Sequence, residues 1–183
     1  MLKPKVFFVL TLLAPVFSLP AFAGPSEGRI GVGVHGGVNL PILDKRIREI
    51  TTSGLNMGFL IRYGLSSHWE GTFGVEHLNA PAVDVTPVLF GGQYTFLPEA
   101  KLSPVARASL GLARVHGVGG PTDMDERFAF KPGIGLEYAW CPSITVGAFT
   151  DLFWSPQAEP NDKIFGAFVG GLQLTYFFGQ VKP

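Results

Sequence analysis

Apolar residues recur on every second position in six stretches of the chain. A period of two belongs to strands, whose successive side chains point to opposite faces. The clearest run sets Phe128, Phe130, Ile134, Leu136, Tyr138 and Trp140 against Ala129, Lys131, Gly133, Gly135, Glu137 and Ala139. Earlier, Leu55, Met57, Phe59, Ile61 and Tyr63 alternate with Asn56, Gly58, Leu60, Arg62 and Gly64. Counting the weaker runs gives eight expected strands, near 29–39, 55–65, 69–76, 88–96, 105–115, 128–140, 144–152 and 168–178, and no convincing helix. In each, the second phase is rich in Gly, Ser, Thr and Ala with scattered charges.

Tyr and Trp gather at one end of these runs. Tyr63, Trp69, Tyr94, Tyr138, Trp140 and Tyr176 fall beside short turns on the apolar phase, with Phe96 and Phe178 in equivalent places. A membrane interface selects such a row, because the ring favours hydrocarbon while its N–H or O–H favours water. Connections also alternate in length. Short links lie around 66–67, 98–103 and 142, and longer ones at 40–54, 79–83, 117–127 and 155–163. Outer-membrane barrels have short periplasmic turns and longer extracellular loops. The expected fold is therefore all-β, an eight-stranded antiparallel up-and-down transmembrane β-barrel, with the aromatic girdle at the periplasmic interface.

Which phase faces outward needs its own argument. In a lipocalin-like barrel the apolar phase would line a cavity and the other phase would meet water. Here that other phase is a poor solvent face but suits a narrow lumen, since eight strands leave room only for side chains. Bulky Phe, Trp and Tyr on the apolar phase suit lipid. Composition agrees: the chain holds 24 Gly and 16 Phe with only 15% charged residues, against about 25% in typical soluble domains.

The N-terminal residues predict export. Lys3 and Lys5 precede an apolar stretch over 6–17, and Ala21, Phe22 and Ala23 supply a small-x-small cleavage pattern. Residues 1–23 are expected to be a signal peptide and 24–183 the barrel domain. A retained anchor is the alternative, but Pro15, Ser18 and Pro20 shorten the helix. Downstream no apolar run reaches the roughly 18 residues of a helical span, so insertion must use strands. Removing two Lys and no acid turns 14 basic and 14 acidic residues into 12 and 14. That balance argues against nucleic acid, which requires a clustered basic surface. Cys141 is the single cysteine and is given no chemical role.

Charges in the inward phase invite pairing. A hairpin centred on Ser66 sets Arg62 against Glu70, and a loop centred on Thr122 sets Arg107 against Glu137. Same-phase opposite charges favour cross-strand pairing, and unpaired they would be costly in a lumen. These four residues are expected to form polar pairs that plug the lumen, with an ion path or gate as the rival role.

Chemistry is less well supported. Lipid A acyl transfer or hydrolysis needs a nucleophile or activated water beside an oriented His near the outer rim. His35, His77 and His116 could approach that rim, with Asp84, Asp151 and Ser155 as companions, but no local His-Ser cluster appears. His68 falls at the opposite end. Four scattered His and one Cys make no metal set, and Gly31, Gly33, Gly36 and Gly37 fit no phosphate loop, since no helix follows. No catalytic residue, metal or cofactor is expected. The loops carry mixed charge: Asp44, Lys45, Arg46, Arg48 and Glu49 in 40–54, and Asp123, Asp125 and Glu126 in 117–127. They could meet lipopolysaccharide phosphates, divalent ions or another cell.

The chain resembles the small outer-membrane barrels typified by the transmembrane domain of outer membrane protein A and by outer membrane protein X. The resemblance covers 29–178 and rests chiefly on Tyr63-Gly64-Leu65-Ser66-Ser67-His68-Trp69-Glu70, which looks like a first periplasmic turn, and on the closing run 172–178. It implies recognition of that closing run by the barrel-insertion machinery, although residues 179–183 continue beyond Phe178. The expectation is a monomer in the outer membrane of a Gram-negative-type cell, in contact with outer-membrane lipid and lipopolysaccharide. Its expected role is structural or adhesion-like and non-enzymatic. A lipid A modifying enzyme and a narrow pore are the alternatives.

Overall fold

The period of two becomes eight strands in the computed structural model, which describes residues 27–42, 53–80, 83–117, 125–156 and 165–179. They are β1 Ile30–Pro41, β2 Gly54–Gly64, β3 Trp69–Ala80, β4 Val83–Thr95, β5 Leu102–Gly117, β6 Asp125–Cys141, β7 Ile144–Ser155 and β8 Phe165–Phe178. Each pairs antiparallel with its sequence neighbour, and β1 pairs with β8, so the sheet closes on itself. Closure matters because an open sheet edge cannot lie in hydrocarbon with its N–H and C=O groups unpaired.

The register fixes the tilt. Following rungs from Gly135 through Phe149, Gly171, Gly37, Asn56, Leu78, Val85 and Val115 returns to β6 at Asp125, ten residues from the start. A ten-residue stagger over eight strands requires strongly inclined strands. Rungs therefore spiral around the barrel, and side chains far apart along the register can share one level.

Burial separates the two phases. Val34, Leu55, Met57, Phe90, Leu110, Leu112, Ile134, Leu172 and Leu174 are exposed on the outer wall. Arg62, Glu70, Gln93, Lys131, Glu137, Asp151 and Gln173 are buried within. The protein is thus inverted relative to a soluble barrel, with its apolar face outward. No helix among the described residues is long and apolar enough to cross a membrane, and the strands form the apolar wall instead.

Some boundaries differ from the alternation. β5 begins at Leu102, three residues before the apolar pattern sharpens, because Ser103 and Pro104 pair with Glu137 and Leu136. Only residues 81–82 separate β3 from β4, so that connection is shorter than expected. Two prolines interrupt ladders on one side only. Pro87 keeps its rung to Ala113 and Pro132 its rung to Ala108. On their other sides, rungs are missing between Val75↔Val88 and Leu78↔Val85 and between Phe130↔Trp154 and Gly133↔Asp151. Proline lacks the N–H that a ladder uses.

Candidate functional site

Inward side chains fill the lumen in layers, beginning at the short-turn end. There Arg29 donates from Nη2 to the Pro142 carbonyl at 2.7 Å, and its guanidinium stands 5.1 Å from the Phe177 ring centroid. Above it, Arg62 is held by two carboxylates. Its Nε donates to Glu70 Oε2 at 2.8 Å and its Nη2 contacts the same oxygen, while Nη1 and Nη2 donate to Glu137 at 2.7 and 3.0 Å. Gln93 Nε2 joins the carboxylates, at 3.3 Å from Glu70 and 3.2 Å from Glu137. Arg62, Glu70 and Gln93 are at most 1% exposed. A rigid fork of donors suits this geometry, because it satisfies two carboxylates at once.

A second cluster fills mid-lumen. Arg107 grips Asp151 bidentately, Nε to Oδ1 at 2.7 Å and Nη2 to Oδ2 at 2.6 Å, and donates from Nη1 to Gln173 at 3.1 Å. Lys131 lies 3.2 Å from Asp151 and also pairs with Glu76. His35 Nε2 stands 3.7 Å from Glu76, and its ring meets Phe149 edge-on at 5.5 Å. Arg107 covers the other aromatic contact, 4.2 Å from the Phe149 centroid. Gly133 makes room for this arrangement: a Cβ there would stand 1.8 Å from Asp151 Oδ1. With Arg29, the two clusters hold four cations against Glu70, Glu76, Glu137 and Asp151, so the filled lumen is near neutral.

Between the clusters remains a cavity of about 30 Å³ lined by His35, Glu76, Gln93, Arg107, Lys131 and Gln173, among others. That volume admits one or two waters. Toward the loop end the lining turns mostly apolar, with Asn39 and Asn56 buried on β1 and β2. Leu78, Val85, Leu89, Ala113, Ala129, Phe149, Phe153, Ala167 and Val169 pack as one buried cluster across the bore. Ser155 beside it donates to the Phe128 carbonyl at 2.9 Å.

Of the two ion pairs expected in the lumen, Arg62 with Glu70 forms and Arg107 with Glu137 does not. Arg62 lies opposite Thr72, not Glu70, and reaches Glu70 diagonally. Arg107 does not meet Glu137, because the β5–β6 register sets Arg107 opposite Gly133 and Ser103 opposite Glu137. Glu137 turns instead to Arg62, across the bore, and Arg107 to Asp151. Counting residues within a hairpin misses such contacts, since tilt brings strands that are not neighbours to one level. Glu76, Gln93, Lys131, Asp151 and Gln173, all on the inward phase, complete the lumen network beyond those pairs.

The six girdle residues lie on the outer face at the short-turn end. Trp69 and Tyr94 meet edge-on at 4.9 Å, Tyr94 and Phe96 at 5.0 Å, and Tyr176 and Phe178 at 4.8 Å. Tyr63, Trp69, Trp140 and Tyr176 are about half exposed. The residues considered for lipid A chemistry divide between the lumen and the outer wall. His35 and Asp151 are inside the lumen, His77 bonds Thr86 at 3.3 Å on the outer wall, and His116 pairs in register with Asp84. Among the described residues no group of His, Cys, Asp and Glu could hold a metal. The loop charges Asp44, Lys45, Arg46, Arg48, Glu49 and Asp123 lie outside the described residues.

No family model and no curated protein sequence matches this chain. Solved structures do. Neisserial surface protein A superposes with a TM-score of 0.68 at 13% identity, over 83% of this chain and 100% of that one. The N-terminal β-barrel domain of Pseudomonas aeruginosa OprF gives 0.62 at 15% identity, over 84% and 99%. The outer membrane protein OprG of Pseudomonas aeruginosa gives 0.58 at 10% identity, over 87% and 100%. At these identities the shared property is architecture, and the chain has the fold of the small eight-stranded outer-membrane β-barrels.

Proposed function

We propose that this protein resides in the outer membrane as a monomeric, non-enzymatic barrel that serves a structural or adhesion-like role through its longer loops. The observation that carries the reading is the double filling of the bore. Ion clusters occupy its lower and middle levels, and an apolar layer crosses the end toward the loops. A lumen filled this way supports a scaffold better than a transport path. Function then belongs to the loops, whose mixed charge suits lipopolysaccharide phosphates or another surface.

The test has two parts. Replacing residues 44–49 by Gly and Ser is expected to lower binding of protein-displaying cells to immobilised lipopolysaccharide or to partner cells, while the barrel still inserts. Unchanged binding would remove the loop role. Mass spectrometry of lipid A from cells with and without the protein is expected to show the same acyl pattern; a changed pattern would support the enzymatic alternative.

A narrow pore is the second reading, favoured by the polar cavity between the two clusters. Planar-bilayer recordings separate it from the scaffold. Arg62→Ala and Glu70→Ala are expected to leave conductance as low as in the parent, and stepwise currents altered by either would support a gated pore.

A further inference from the structure

On the outer wall, where β5, β6 and β7 adjoin, the apolar surface sinks into a depression of about 500 Å³. Phe96, Pro104, Ile134, Leu136, Ala148 and Thr150 border it. Its floor is backbone, at Gly135 between the outward Ile134 and Leu136 and at its register partner Phe149, whose ring points into the lumen. The small Ala148 makes the hollow, and the exposed Phe96, Ile134 and Leu136 rise around it.

We propose that this groove seats one fatty acyl chain of a phospholipid from the leaflet on the short-turn side. The inference rests on the membrane-barrel reading and adds a defined lipid site to it. Four observations favour this occupant. The groove is continuous with the exposed apolar wall, so hydrocarbon is the medium it opens into. It bears no charged residue and a single hydroxyl, on Thr150, which suits an alkyl chain and leaves a headgroup unserved. Its strands are paired throughout, from Gly133↔Asp151 to Tyr138↔Val146 and from Ser103↔Glu137 to Arg107↔Gly133, so no free backbone edge invites a peptide. Finally, Phe96 joins it to Tyr94 of the aromatic row at 5.0 Å, which sets one end at interfacial depth.

A second copy of the chain fits less well. In a two-fold dimer the same patch meets itself, so hollow would face hollow and neither would be filled. A flexible chain fills a concave wall and gains dispersion contacts on several sides, which a flat part of the wall does not offer.

Native mass spectrometry of the full chain in mild detergent, titrated with phosphatidylethanolamine, tests the site. The parent is expected to retain one lipid per chain. Ala148→Phe fills the groove and should raise the apparent Kd for the lipid about tenfold, the factor carried by lost contact with roughly two methylene groups. Ile134→Ala lowers one wall and should weaken retention too, while Val34→Phe on β1 should not. Gel mobility of unheated against boiled protein is read alongside: a parent without a shift would overturn the barrel reading itself. With the shift present, equal retention in all four proteins would overturn the site. Lipid-free parent dimers dissolved by Ala148→Phe would overturn it in favour of a second copy. Should Ala148→Phe fail to fold, Ile134→Ala against Val34→Phe decides.

Discussion

Arg62 concentrates the residue-scale physics of the lumen. Two carboxylates converge on one guanidinium at a depth where all three are nearly inaccessible. Removing one partner of a buried ionic set leaves uncompensated charge and costs roughly 3–5 kcal/mol. Arg62→Ala should lose stability of that order, because Glu70 and Glu137 would then face each other. Arg62→Lys should be intermediate, since an ammonium lacks the planar fork that serves both. Urea unfolding followed by Trp fluorescence in detergent reads both; a midpoint unchanged in Arg62→Ala would contradict the assigned pairing. Glycines offer a sharper contrast. Gly133→Ala puts a methyl group onto Asp151 and should loosen its grip on Arg107 and Lys131. Gly71→Ala finds its nearest atom at 4.0 Å, on the outer wall, and should stay within about 0.5 kcal/mol of the parent. Equal losses at the two glycines would contradict the packing described.

At the scale of elements, alternation revealed which face each strand presents, because one period of two suffices to separate Leu172 and Leu174 from Gln173 and Thr175. Strand neighbours were also legible, since short links join antiparallel pairs. Partners across the bore were not. Arg62 to Glu137 spans 75 positions and Arg107 to Asp151 spans 44, and both contacts depend on the ten-residue stagger, which no single hairpin encodes. The apolar layer near the loops was hidden for a different reason. Phe149, Phe153 and Val169 sit on the inward phase, where isolated hydrophobes read as noise until they share a level. Phe153, fully buried there, should cost about 3–5 kcal/mol when cut to Ala, as for other large core side chains. Thermal or urea unfolding checks it, and a loss below about 1 kcal/mol would mean that the layer does not pack.

Scaled to the whole molecule, the distribution of surfaces makes a solvent argument. A closed sheet leaves no edge, an apolar wall faces out, and the charges offset one another inside. Such a particle is stable only where hydrocarbon surrounds it. Orientation can be read independently by a membrane-impermeant maleimide on a Cys141→Ser background. Asp44→Cys should label in intact cells and Glu99→Cys, on a short turn, only after permeabilisation. The reverse order would turn the barrel over and move the aromatic row to the other leaflet.

The most direct test of an inverted barrel with a filled bore needs no mutation. Methyl-resolved NMR of the protein in lipid nanodiscs reports which side chains touch acyl chains through intermolecular NOEs. Lipid contacts are predicted at the methyl groups of Val34, Ile134, Leu172 and Leu174, and none at those of Leu78, Val85 and Val169. Lipid contacts at Leu78, Val85 and Val169, with water at Leu172 and Leu174, would contradict it.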